Sequence, residues 1–319
     1  MTEYIQGIDI SSHQGDVNHQ EVADSGMKFC IVKATEGRDW EDPLFEENIQ
    51  KIRAVEGQTY YPGAYHFARP DSVGGAADGR AEAEDFCDVI ERACGDITQN
   101  FMPPALDFEV YSESDFNENI PWIENWIEVV EFRLKRKPMI YTGKNVWKYE
   151  LGNTNAFVGY SLWLVYYTAG SADVPMESLP WDEWTLWQYS GGGTYQHHPD
   201  VPGVGVVDVN RFAGDLEALG RFAQASGPPP PEPHLWPRPP LQVDLNKLRG
   251  NYSIYTARVQ GLLLAHRFGP DGLVGRDGFP DGLSGPKTES YLREFKVSCR
   301  LPDNTVVDWE TWWTLTLKR

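Results

Sequence analysis

The chain is short of cysteine, of positive charge and of long apolar runs, and each shortage removes a class of protein. Four cysteines in 319 residues, Cys30, Cys87, Cys94 and Cys299, are too few for a disulfide-stapled scaffold. Their spacing matches neither a zinc ribbon nor a redox pair, so they are expected to be reduced packing residues. Lys and Arg number 28 against 47 Asp and Glu, a net charge of −19, which leaves no basic stripe for nucleic acid. No segment approaches the roughly 20 apolar residues of a membrane span, and residues 1–7 lack the basic-then-apolar pattern of a secretory signal. There is no GxSxG elbow, HExxH pair or phosphate-binding glycine loop. No metal, cofactor, membrane or protein partner is therefore expected.

What the sequence does contain is a core and many rings. Hydrophobic residues make up 41% and aromatics 13%, with 12 Trp, 15 Tyr and 14 Phe. Such an excess fits clefts where flat rings stack on sugar faces, and it fits extra core packing equally well. Eight prolines crowd into residues 227–240, GPPPPEPHLWPRPP. That segment lacks the donors for a helix or a central strand and favours an extended spacer. Charge divides at the same place: residues 1–226 carry −21 and residues 227–319 carry +2. The expected organisation is a domain over 1–226, a linker over 227–240 and a small, mainly helical domain over 241–319.

In the first domain, β-rich runs alternate with helical patterns. Strands are predicted at Tyr4–Ile10, Lys28–Ala34, Tyr61–Phe67, Pro104–Val110, Pro138–Thr142, Leu162–Tyr166, Thr185–Tyr189 and Gly205–Val209. Helices are predicted at Leu44–Val55, Ala76–Arg92, Pro121–Lys135 and Gly214–Ala223, the third opened by its proline, and Ser72–Gly79 reads as a loop. Eight strands with intervening helices suggest an α/β fold closed into a barrel, irregular in its second half where the strands crowd together.

Carboxylates cluster at the strand ends, where the loops of such a barrel form a cleft. Asp9 is near the end of the first predicted strand, Asp107 and Glu109 end the fourth, and Asp208 ends the eighth. Residues two apart on a strand share a face, so Asp107 and Glu109 point the same way. First and eighth strands adjoin in a closed barrel, which brings Asp9 toward Asp208. Crowded like charges hold a carboxyl protonated near neutral pH, as a general acid requires, and paired carboxylates cleave glycosidic bonds. His13 and His66 lie near strand ends and border the same region, but nothing marks either as a base. His197 and His198 fall in a Gly-rich loop and read as exposed.

Residues 5 to about 222 resemble the glycoside hydrolase family 25 lysozymes, the N-acetylmuramidases. The resemblance rests on GIDISSHQG, IVKATEG, DPLFEEN, PGAYHFARP, ALDFEV, PMIYTG, LWLVYY, WTLWQYS and VDVNRF, in order and roughly in spacing. It implies a (β/α)5β3 barrel and hydrolysis of the β-1,4 bond between N-acetylmuramic acid and N-acetylglucosamine in bacterial peptidoglycan. It also implies Glu109 as general acid, and Asp107 as nucleophile or as support for the substrate's own acetamido oxygen. Asp9 and Asp208 would orient substrate. Lys33, Tyr65, Tyr141, Tyr166, Trp187 and Gln188 would line the cleft, although adjacent Trp187 and Gln188 cannot both face inward on a regular strand.

In the second domain, helical spacing over Tyr255–Arg267 is followed by DGLSGPKTESYLREFK, a turn leading into a capped helix. This resembles the small three-helix peptidoglycan-binding modules found beside wall hydrolases, with a weaker echo at Val306–Leu315. The combination suggests a phage endolysin, made in the cytoplasm of an infected host and acting on the wall, with secretion as the alternative. The competing reading is a carbohydrate-binding or storage protein on an inactive barrel.

Overall fold

The computed structural model describes residues 4–70, 75–110, 116–168, 174, 176–224, 242–250, 253–275, 280–308, 311–312 and 314–315. The chain divides into two compact units, Met1–His234 and Leu235–Arg319. The proline-rich linker lies outside the described residues, although the division falls within it.

Unit 1 is a closed barrel in the order β1 to β8: β1 Ile5–Ile10, β2 Phe29–Glu36, β3 Tyr61–Phe67, β4 Ala105–Asp107, β5 Met139–Gly143, β6 Ser161–Val165, β7 Leu186–Ser190 and β8 Asp208–Phe212. The first seven run parallel, and β8 closes the barrel antiparallel to both β7 and β1. Helices α1 His19–Asp24, α2 Phe45–Arg53, α3 Gly75–Ala93, α4 Phe116–Leu134 and α5 Lys144–Glu150 follow the first five strands, and α6 Leu216–Phe222 follows β8. This is the (β/α)5β3 pattern. No described helix is long and apolar enough to cross a membrane.

Strand alternation sorts the core into two layers. Phe29, Ile31, Met139, Trp163, Leu186 and Phe212 pack together inside the barrel. Cys30, Val32, Leu106, Ile140, Leu162, Leu164 and Val209 pack outside it, under the helices. Caps fix the helix starts: the Asn18 side chain accepts from Glu21 N before α1, and that of Asp215 accepts from Ala218 N before α6. In α2, Glu46 and Glu47 open the helix while Lys51 and Arg53 close it, matching the helix dipole.

Three expectations need correction. The eighth strand is displaced: residues 201–205 form a bridged turn, with Gly205 at φ +83°, and the strand starts at Asp208 rather than ending there. Helix α4 begins at Phe116, so Pro121 lies inside it and withholds one donor from the ladder. Helix α3 begins at Gly75, so residues 75–79 of the stretch read as a loop belong to the helix, while residues 71–74 lie outside the described residues.

Unit 2 contains β9 Gln242–Asp244, α7 Ile254–Ala265, α8 Pro286–Ser298 and β10 Val306–Asp308, with β9 and β10 paired antiparallel. The short strand ribbon accompanies the two helices of the mainly helical domain expected. Its core joins Leu245, Val259, Leu263, Leu292, Phe295 and Trp312. Gln260 organises the DGLSGPKT turn: Nε2 donates to Asp281 Oδ1 at 2.7 Å and Leu283 O at 3.1 Å, and Oε1 accepts from Gly282 N at 2.9 Å. Helix α8 starts with Gly285 and Pro286 and has no side-chain cap, unlike the capped start expected.

Gly79 lets α3 approach the backbone of α4 closely. A Cβ there would stand 2.3 Å from the carbonyl oxygen of Trp122 on α4. Helix propensity favours Ala over Gly by ~1 kcal/mol, but backbone overlap outweighs it. Gly79→Ala is expected to lower stability by about 1–3 kcal/mol in thermal unfolding; a raised melting temperature would contradict this packing.

Candidate active site

The inward residues of each strand change from apolar to polar on approaching the C-terminal ends of the parallel strands. There Asp9, Lys33, Tyr65, Phe67, Asp107, Glu109, Tyr141, Trp163, Gln188 and Asp208 line a cavity of about 190 Å³, together with Ser11 and His13. Asp208 reaches this mouth because β8 runs backwards: its first residue lies level with the upper end of β1, where Asp208 pairs with Asp9. Strand β4 ends at Asp107, so Glu109 stands just beyond the strand. Phe108 N still donates to Tyr141 O at 2.9 Å, which keeps Glu109 aligned with the cavity.

Neutral donors hold Asp9. Its Oδ2 accepts from Asn210 Nδ2 at 2.7 Å and Gln188 Nε2 at 2.9 Å. Trp163 Nε1 donates to Asn210 Oδ1 at 2.7 Å, and both Tyr141 and Tyr167 donate to Gln188 Oε1, at 3.0 and 2.9 Å. These bonds fix which way each amide faces, because the oxygen is already occupied by a donor. Asp107 is different: its buried Oδ1 has no hydrogen-bond partner among the described residues.

Every acid in the cavity is pushed above its ordinary pKa. Burial raises Asp9 to about 8, with the Asp208 carboxylate adding to it against the two amide bonds. Burial and then Glu109 raise Asp208, to about 6. Asp107 is raised by burial and then by Glu109 and Asp9, and Glu109 by burial; the Lys33 ammonium opposes both. The four groups together therefore retain protons near neutral pH.

Lys33 is buried, pairs with Glu36 and lies over the Phe67 ring at 4.6 Å. Glu36 also accepts from the Arg69 guanidinium, at 2.6 Å from Nη2. A bulge between Lys33 and Thr35 permits this arrangement. It turns Thr35 outward, where its hydroxyl is 2.8 Å from His66 Nδ1.

Of the expected lining residues, Lys33, Tyr65, Tyr141 and Gln188 face the cavity, and Tyr166 and Trp187 do not. Trp187 points outward, donating to Tyr166 O at 2.8 Å and packing against Arg211. Strand β6 ends at Val165, so its alternation no longer governs residues 166 and 167, and it is Tyr167 that reaches Gln188. Phe67, Trp163 and Asn210 were not singled out from the sequence, although strand parity with Tyr65 and Asp208 places Phe67 and Asn210 inward. His13 lines the cavity. His66 lies behind the wall, fully buried between Trp122 and Trp126, with Nε2 2.8 Å from Glu82 Oε2. Burial lowers His66 to about 3 and raises Glu82 to about 9, so the pair is neutral.

Comparisons with known proteins identify relatives of this barrel. The family model Glycosyl hydrolases family 25 matches residues 8–198. Lysozyme M1 of Streptomyces globisporus is 32% identical over 228 residues, covering 68% of this chain and 71% of that protein. The N,O-diacetylmuramidase of Chalaropsis sp is 30% identical over 200 residues, or 60% and 90% of the two chains. A crystal structure of the bacterial lysozyme from Streptomyces coelicolor superposes with a TM-score of 0.58 at 30% identity, covering 70% of this chain and 98% of that one. The chain belongs to glycosyl hydrolase family 25 and is a glycoside hydrolase of the lysozyme type.

Proposed function

We propose that the chain is an endolysin-type N-acetylmuramidase that cleaves the β-1,4 bond between N-acetylmuramic acid and N-acetylglucosamine in peptidoglycan. The observation carrying this reading is the crowding of Asp9, Asp107, Glu109 and Asp208 into one cavity, with Asp107 Oδ1 left without a hydrogen-bond partner among the described residues. Glu109, raised by burial, gives its proton to the leaving glycosidic oxygen as the bond to the muramic C1 breaks. The positive charge developing at C1 is met by Asp107 directly, or by the substrate's acetamido oxygen with Asp107 supporting it. Water then adds to C1 and returns a proton to Glu109. Asp9 and Asp208 orient the sugar and hold the shared protons. An inactive, purely sugar-binding barrel has no use for this repulsion.

Glu109→Gln keeps the shape and removes the proton. It is expected to slow clearing of a peptidoglycan suspension by about 10²–10⁴-fold; clearing at the wild-type rate would overturn the assignment. The second unit is proposed to anchor the enzyme on the wall, which suits the charge of +2 over residues 227–319 against −21 over residues 1–226. The same inactive variant reads this out: removal of residues 241–319 should release it from sedimented walls, and undiminished co-sedimentation would remove the anchoring role.

The pH profile tests the role of Lys33. Its ammonium lowers Asp107 and Glu109, so its loss lets both rise further. Glu109 then keeps its proton to higher pH, and Asp107 ionises only at higher pH. In Lys33→Met both limbs of the pH–rate profile are expected to move upward, by about one pH unit. Unmoved limbs, or a downward shift, would contradict the coupling.

A further inference from the structure

Two exposed rings flank the cavity, and the barrel's strand order shows how they are placed. Trp40 follows β2 and is 41% exposed; Tyr195 lies between β7 and β8, is 56% exposed, and stacks on Tyr167, which follows β6. In an eight-stranded barrel, strands four apart stand on opposite sides. The β2–β6 line therefore crosses the line from β4, which positions Asp107 and Glu109, to β8, which carries Asp208.

Both rings are held by built loops. Glu36 N donates to Trp40 O at 3.1 Å, Thr35 bridges to Glu41, Asp39 N donates to Asp85 Oδ2 at 3.1 Å, and Arg38 pairs with Asp78 at 2.6 Å. Lys33 Nζ lies 5.0 Å from the Trp40 ring centre and links that rim to the cavity. On the other rim, the Tyr195 and Tyr167 ring centres are 4.9 Å apart at 28°. Tyr195 O accepts from Gly191 N at 3.0 Å. Gly191 itself is pressed between the Tyr167 ring and Asp208: a Cβ there would stand 3.0 Å from the ring and 3.1 Å from Asp208 Oδ1. Among the described residues the other tryptophans are not exposed, so Trp40 is kept in water by its loop rather than left over from the core.

We propose that Trp40 and Tyr195 are sugar-stacking platforms on opposite rims, so that a glycan strand crosses the mouth along the β2–β6 line with its scissile bond between the β4 and β8 acids. The occupant is a linear strand of N-acetylated amino sugars, whose apolar ring faces match exposed aromatic rings. The proposal rests on the muramidase reading and adds the direction of the strand and two residues that select for its length.

The experiment measures kcat/KM of the full chain on soluble, peptide-free glycan strands and on a tetrasaccharide from the same source. Trp40→Ala and Tyr195→Ala should each lose roughly three- to tenfold on long strands. The double variant should lose about the product of the two, and the tetrasaccharide should be affected less. Trp40→Phe and Tyr195→Phe retain a ring and should recover most of the loss, which separates stacking from misfolding. Phe132→Ala, 42% exposed near the far end of α4, should change nothing. Equal losses on long and short substrates, a loss at one rim alone, or no loss would each overturn the platform while leaving the muramidase reading in place. A parent enzyme that cleaves no glycan strand at all would overturn both.

Discussion

Mutual repulsion among four carboxyl groups in one barrel mouth is the constraint on which this structure turns. Asp9, Asp107, Glu109 and Asp208 share their cavity with one lysine and no arginine among the described lining residues. Burial strengthens the repulsion, because a charge removed from water is screened less. Neutral donors do much of the compensating. Two amides and two phenols orient Asp9 and bring no full charge that would fix it in its ionised form. The result is a set of acids able to exchange protons near neutral pH, which a fully paired cluster of salt bridges would prevent.

The barrel makes that cluster possible through one reversed strand. Were β8 parallel to its neighbours, its first residue would lie at the opposite end of the barrel from the ends of β1 and β4. Antiparallel pairing with both β7 and β1 sets Asp208 opposite Asp9 instead. Below the acids, Phe29, Ile31, Met139, Leu186 and Phe212 fill the interior, so the cavity has an apolar floor. Behind the wall, the neutral His66–Glu82 pair ties β3 to α3. Glu82 Oε2 also accepts from Arg69 N at 3.1 Å, next to the Arg69–Glu36 pair that neighbours Lys33.

Much of this was legible in the sequence, and the failures have physical causes. Periodicity located the seven parallel strands because buried parallel strands are apolar and β-branched, and parity placed Lys33, Tyr65 and Tyr141 inward. The eighth strand was misplaced because Gly205-Val206-Val207 reads as a strand, whereas Gly205 sits at positive φ in a turn. The expected convergence of Asp9 and Asp208 holds, but for the opposite strand direction. Parity also decides between Trp187 and Gln188, while the choice between Tyr166 and Tyr167 depends on where β6 ends. Trp40 and Tyr195 carried no periodic signal, since loop hydrogen bonds set their positions. In the second unit, the ribbon of β9 and β10 rests on pairing across about 60 residues, which short local patterns do not reveal.

The central claim is that these acids cleave the glycan on the reducing side of muramic acid. Mass analysis of peptidoglycan digested by the purified chain tests it most directly. The account predicts new reducing ends on N-acetylmuramic acid; new reducing ends on N-acetylglucosamine, or release of free peptides, would contradict it.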